Sequence, residues 1–322
     1  MADSYQDPGV AGMLSALDLT MVGEAEATLR SRDGGPLDDF PSLGDSAVTV
    51  FLGQSVKMPH NRVFGGQVLA QGVMAMGRTV IPDADAASRP IHSLHAYFMR
   101  PGDDTLPIHF AVERMRDGRS FSTRRVHAIQ RGAPILAMSA SFQEPANGLD
   151  HEDVMPDVPG PEELPDSVVR PADEGEAPGM FASRAAFRRT RSVEMRFVEG
   201  EAGTEPDPLR RSTQHVWMRC KERLPDDPLL HAAVFAYCSD YSLLEPILRI
   251  HGLTWAEPRL RVASLDHSMW FHRQARPDEW FLYTSTTPSA QSGRGLAIGR
   301  MFSLDGRLIA TTAQEGMVRV KD

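Results

Sequence analysis

Residues 63–80, VFGGQVLAQGVMAMGRTV, carry a single charge, Arg78. Leu69, Val73, Met76 and Val80 recur at helical spacing, with Gly65, Gly66 and Gly72 in the same stretch. A helix that is apolar almost all round has to be wrapped by other structure. The chain that follows offers the wrapping. Ile91 to Arg100, Pro107 to Arg116, Arg119 to Arg131 and Pro134 to Glu144 each have strand length, and Asp117-Gly118 reads as a hairpin turn between two of them.

The same order returns further on. A strand around Gln214 to Glu222 leads to Asp227-Pro228, a cap and first-turn pair, and then to an apolar helix from Leu229 to about Leu244. Strands follow at Arg261 to Phe271, Glu279 to Thr286, Gly293 to Ser303 and Arg307 to Val320, with Asp305-Gly306 as the last hairpin turn. One buried helix wrapped by a curved antiparallel β-sheet, twice over, is an α+β double hotdog. Ser93-Leu94 against Ser264-Leu265 and Gln143-Glu144 against Gln314-Glu315 share an offset of 171 (264 − 93 and 314 − 143), which supports an internal repeat.

Seven prolines and many acids between Pro145 and Pro178 mark a linker, packed on the surface or mobile. The expected organisation is an N-terminal extension with a short helix (1–35, the helix around Met13 to Leu29 after about 12 disordered residues), a first hotdog repeat (36–144), the linker (145–190) and a second repeat (191–322).

With 322 residues and a net charge of −9, the chain is not expected to bind nucleic acid. Its two cysteines, Cys220 and Cys238, fit neither a disulfide framework nor a zinc site. Met1 to Asp7 has no secretory character, no stretch approaches the ~18 apolar residues of a membrane span, and Arg319 to Asp322 is not a peroxisomal tail. The expectation is a cytoplasmic protein that holds no metal.

Asp240 is the only charge between Leu229 and Leu244, on the stripe Leu229, Ala233, Ala236, Asp240, Leu243. A carboxylate there needs hydrogen-bond donors, a wet cavity or a proton. It is either structural, satisfied by its neighbours, or chemical. Alternation puts Ser264 on one strand face with Asp266, and His267 on the other. Gln314 shares its face with Leu308, Ala310 and Thr312, so it points inward and needs partners. Three such groups on separate elements can hold one water for hydrolysis without a protein nucleophile. No Gly-x-Ser-x-Gly elbow and no His-Glu-x-x-His site is present, and His267 and His272 lie on opposite faces. Gly65 and Gly66 either let a carbonyl approach helix-terminal N–H groups or serve close packing, and Arg294 is either a ligand for a substrate phosphate or a structural arginine.

Longer motifs then become recognisable: Arg62 to Gln67 (RVFGGQ), His92 to Gly102 (HSLHAYFMRPG), Asp117 to Ser122 (DGRSFS), Ala236 to Tyr241 (AYCSDY), Ser264 to His272 (SLDHSMWFH), Ser292 to Gly295 (SGRG) and Ala313 to Gly316 (AQEG). Over about Met13 to the end, the chain resembles the TesB-type acyl-CoA thioesterase II family, which includes the peroxisomal acyl-CoA thioesterase. The resemblance implies a double hotdog that hydrolyses acyl-CoA to free fatty acid and CoA without a cofactor. It also implies that the family's catalytic Asp, Ser or Thr, and Gln fall on Asp240, Ser264 and Gln314, with backbone N–H groups polarising the thioester carbonyl. Departures are the N-terminal extension, a longer segment from Gly34 to about Asn61 and the acidic linker, which bear on acyl-chain preference and assembly. Members of the family commonly associate, so a homo-oligomer is an expectation that no surface of the sequence locates.

Two rivals stand beside this reading: a noncatalytic acyl-CoA-binding hotdog protein, and a hotdog enoyl-CoA hydratase, for which neither helix has an Asp-x-x-x-x-His pair. Only the second repeat is expected to work. The 171-residue offset sets Ser93 and Gln143 against Ser264 and Gln314, but Phe64 to Val80 contains no acid.

Overall fold

A computed structural model describes residues 9–26, 47–58, 61–80, 89–165, 192–203 and 205–321. In the first repeat, α1 (Gly9–Leu17), β1 (Thr20–Glu26) and β2 (Ala47–Gly53) precede α2 (Gly65–Val80), which is followed by β3 (Ile91–Phe98), β4 (Ile108–Asp117), β5 (Phe121–Gln130) and β6 (Ala133–Gln143). The second contains β7 (Val193–Phe197), β8 (Thr213–Cys220), α3 (Pro228–Ser239), α4 (Glu245–His251), β9 (Leu260–Ser264), β10 (Asp266–Phe271), β11 (Phe281–Gln291), β12 (Arg294–Ser303) and β13 (Leu308–Val320).

All thirteen described strands belong to one sheet, ordered β1-β2-β4-β5-β6-β3-β10-β13-β12-β11-β8-β7, with β9 also on β13. The halves meet where β3 and β10 pair antiparallel, Leu94 opposite Met269. Each half wraps one central helix, and α2 and α3 pack side by side in a shared core. This is the double hotdog. No helix among the described residues is long and apolar enough to cross a membrane.

Burial of α2 is nearly complete, as its composition demands, and its polar groups are matched. Gln71 donates to Ala16 O and Gln54 O, and Gln67 accepts from Val56 N. At its C-terminus, buried Arg124 donates to Thr79 Oγ1 and Thr79 O and pairs with Asp117, placing a cation where the helix exposes carbonyls. On α3, Asp227 caps the first turn by accepting from Leu229 N and Leu230 N.

Several expectations shift. The first helix is α1 (Gly9–Leu17), not one around Met13 to Leu29, because β1 begins at Thr20 and joins the sheet beside β2. Of the residues expected to be disordered, 9–12 are helical and 1–8 lie outside the described residues. The helix read as Leu229 to Leu244 ends at Ser239, and a separate helix, α4, follows. Strand β7 was not foreseen, nor were the two-residue turns Arg131-Gly132 and Ser292-Gly293. In both turns the two residues have positive φ, the geometry that tight hairpins use. Of the linker, residues 145–165 lie along the second repeat and residues 166–190 fall outside the described residues. Trp217 Nε1 donates to Pro159 O and Trp280 Nε1 to Glu162, while Glu152 accepts from Leu308 N and pairs with Arg307 and Arg273.

Leu94 is fully buried where the repeats join. Leu94→Ala is expected to lower unfolding free energy by about 2–5 kcal/mol, measured by urea denaturation. A loss below about 1 kcal/mol would mean that the joint carries little of the core.

Candidate active site

Three elements of the second repeat converge beside the start of α2. Asp240 is the C-cap of α3, Ser264 ends β9, and Gln314 lies in β13. Gln314 Nε2 donates to Ser264 Oγ at 2.6 Å and to Asp240 Oδ1 at 3.1 Å, and Ser264 Oγ donates to Asp240 Oδ1 at 3.4 Å. Gln314 is buried, whereas Asp240 and Ser264 remain partly open. On the other side of the carboxylate, an added Cβ on Gly65 would stand 2.6 Å from Asp240 Oδ2. A Cβ on Gly66 would collide with Tyr237 O. The two glycines therefore let the first turn of α2 lie against the end of α3. Phe64, Tyr237 and Tyr241 enclose the junction, with ring centroids 5.0–5.7 Å apart.

The alternation read across Arg261 to Phe271 does not hold. Ser264 pairs with Gly316, but Ser268 pairs with Ala313, so the ladder slips by one residue at Leu265. Leu265 N and Phe98 N make the bridging contacts, to Glu315 O and Leu265 O. The slip turns both Ser264 and His267 toward the cluster. Asp266 instead accepts from Glu315 N, and burial raises its pKa.

His267 is the residue that the sequence reading missed. It is fully buried, with Nδ1 2.5 Å from Gln314 Oε1 and Nε2 2.9 Å from Ser239 Oγ. The amide orientation is fixed by its neighbours, because exchanging its ends would face Oε1 to the Asp240 carboxylate. An amide oxygen only accepts, so Nδ1 carries the proton. Burial lowers the His267 pKa to about 4, so the ring is neutral, and its Nε2 faces the Ser239 hydroxyl, which also donates to Ala236 O. A rigid neutral imidazole thus aims the Gln314 NH2 at Ser264 and Asp240.

Neither cysteine offers a nucleophile beside this cluster. Both are buried, and burial raises the Cys238 thiol pKa, which disfavours a thiolate. The described residues contain no group of three or more His, Cys, Asp or Glu placed to hold a metal.

Family models described as "Acyl-CoA thioesterase" and "Acyl-CoA thioesterase N-terminal domain" match residues 187–317 and 54–143. "Acyl-CoA thioesterase 2" of Haemophilus influenzae is 35% identical over 274 residues, 85% of this chain and 93% of that protein. The chain belongs to the TesB-type acyl-CoA thioesterase II family. It is, with that membership, a thioester hydrolase. Human "Acyl-coenzyme A thioesterase 8" is 38% identical over 84% of this chain and 85% of its own length. The crystal structure of acyl-CoA thioesterase II TesB2 from Mycobacterium marinum is 40% identical, has a TM-score of 0.68, and covers 85% of this chain and 94% of that one.

Within this thioesterase, the ladder registers correct the correspondence between the halves. Ser93 pairs with Ser141, so moving both by 171 predicts Ser264 opposite Thr312, yet Ser264 pairs with Gly316. Shifts of 173 (264 − 91) and 174 (316 − 142) carry Ile91↔Phe142 onto Ser264↔Gly316. The same shifts carry Arg124↔Ala140 onto Ala297↔Gln314. The counterparts of Ser264 and Gln314 are therefore Ile91 and Ala140, not Ser93 and Gln143. Where α2 ends against α3, the Leu229 side chain fills the space over Gly77, as Asp240 fills that over Gly65. Because the end of α2 answers to the end of α3 and the start of α3 to the start of α2, Gly77 takes the acid's place and Leu229 that of Gly65.

Arg294 is not in the cluster. It is exposed at the start of β12, its Nε 3.0 Å from Glu315 Oε1.

The His267 arrangement predicts a pH effect on stability. The folded-state pKa lies below the ordinary value of 6.5, so the unfolded chain binds the proton first, and stability is lost as pH falls from about 6.5 to about 4. His267→Gln should flatten that part of the curve, read by thermal unfolding of the two proteins across this range. Equal slopes would show that His267 titrates like a free histidine.

Proposed function

We propose that this protein is an acyl-CoA thioesterase in which a water held by Asp240, Ser264 and Gln314 attacks the thioester directly. The observation that carries the reading is the convergence of a carboxylate, a hydroxyl and an amide from three elements within 2.6–3.4 Å, against the glycine start of α2. In this reading the thioester carbonyl accepts from N–H groups at the first turn of α2, where the helix dipole favours developing negative charge. Asp240 takes a proton from the water while Ser264 and Gln314 fix its direction. The tetrahedral intermediate then collapses, the C–S bond breaks, and CoA leaves as the thiolate, which regains the proton. Free fatty acid is the other product. A cytoplasmic setting and a role in fatty-acid metabolism belong to the same proposal.

A noncatalytic acyl-CoA binder is the second reading, and turnover separates the two. Free-thiol release from short, medium and long acyl-CoAs is expected for at least one chain length, unaffected by chelator. Stoichiometric binding with no cleavage of any of them would replace the enzyme with a binder.

Asp240→Asn keeps the shape but removes the proton acceptor, so kcat should fall on the order of 10²-fold with KM little changed. Near-normal turnover in a folded Asp240→Asn protein would remove Asp240 as the base. Gln314→Ala should likewise reduce kcat, whereas Gln143→Ala should leave it within about twofold. Equal losses would mean that both repeats are catalytic.

A further inference from the structure

At the end of the helix pair opposite Asp240, where α2 stops and α3 starts, lies a cavity of about 510 Å³, within the range of ligand-binding sites. Its walls include Ile91, Phe142, Leu229, Ala232, Phe235 and Phe271. By the shift of 173 (271 − 98), Phe271 is the counterpart of Phe98, which stands against Gly65 beside Asp240. Ile91 and Phe142 are the counterparts of Ser264 and Gly316. The cavity is therefore the repeat-related copy of the candidate active site. Its would-be acid, hydroxyl and amide are Gly77, Ile91 and Ala140, so it has room but lacks the acid, hydroxyl and amide that converge in the candidate active site.

Its polar rim is basic. Arg273 is neutralised by Asp150 and Glu152, and Arg276 by Asp226 and Asp278. Arg89 differs, because its hydrogen bonds go to the neutral acceptors Ser122 Oγ and Arg119 O, and the nearby Asp117, which pairs directly with Arg124, feels its charge without an ion-pair contact. Beside it, His92 Nε2 is buried with no hydrogen-bond partner among the described residues, and burial holds the ring toward its neutral form. An unmatched buried donor or acceptor is costly, and a ligand oxygen or hydroxyl would satisfy it. The one acid lining the cavity, Glu144, is exposed.

We propose that this cavity is a second, non-hydrolytic site that binds a fatty acid, its chain between β3, β6 and the start of α3 and its carboxylate at Arg89 and His92. The choice of an acyl chain rests on the thioesterase reading of the related site. The choice of a carboxylate rests on a guanidinium with no direct ion-pair contact among the described residues and on the orphan imidazole nitrogen. The site would register product without converting anything.

The test is equilibrium binding of cis-parinaric acid, a fluorescent fatty acid, to the full chain whose active site is saturated with a thioether analogue of dodecanoyl-CoA. One equivalent of probe should still bind. Ala232→Trp, which fills the cavity, should weaken that binding at least about tenfold while thiol release from acyl-CoA persists. The pair Arg89→Met and His92→Phe should weaken the acid by about tenfold or more but not its methyl ester. Displacement of all probe by one equivalent of analogue, or unchanged binding in either variant, would overturn the proposal. Equal binding of acid and ester to the natural protein would overturn the carboxylate assignment. Probe binding that depends on Ala232 in a protein that cleaves no acyl-CoA would reject the catalytic reading alone, and cleavage with no residual probe site would reject only this one.

Discussion

A carboxylate, a helix start and a helix end meet at Gly65, and that meeting governs the rest of the molecule. The absence of a Cβ lets Asp240 lie against the first turn of α2, and the neighbouring Gly66 lets that turn touch Tyr237 O. Were either residue larger, the antiparallel helices would separate, and the strands wrapped around them would have to follow. The charge placement is self-consistent, since an anion sits where the dipole of α2 is positive. Each repeat thus completes the other: the acid comes from the second, and the helix start that faces it comes from the first.

Much of this was legible because the buried helices impose strong patterns. A single charge in residues 63–80 announced a wrapped helix, and Asp240 stood out because nothing else on its stripe was polar. Asp227-Pro228 marked the start of α3 through capping chemistry that is local and so readable from a few residues. The short strands β1 and β7 were illegible for the opposite reason, since each is defined mainly by the neighbour it pairs with. Helix α4 also escaped: the apolar pattern carried the reading of α3 past its end at Ser239 to about Leu244, and α4 begins only at Glu245.

The misreadings at the site share one cause. Period-two alternation assumes an uninterrupted ladder, and the slip at Leu265 inverts it midway. That hid His267, which as the third residue after Ser264 belonged to the wrong face on paper. The offset of 171 failed similarly: dipeptide matches ignore registers, whereas the ladders must agree strand by strand. Only pairing partners reveal that Ile91, Ala140 and Gly77 occupy the places of the hydroxyl, the amide and the acid.

The seam between β3 and β10 has an implication for how such a chain is made. Severed there, each half would present an open strand edge, with buried Leu94 on one and buried Met269 on the other. Such an edge invites pairing with any passing strand, the first step of aggregation. During synthesis the first half emerges with that edge uncovered, and it stays so until β10, more than a hundred residues later, is available. Fusion of the two repeats in one chain limits that exposure, because the intended partner is tethered and arrives at high local concentration.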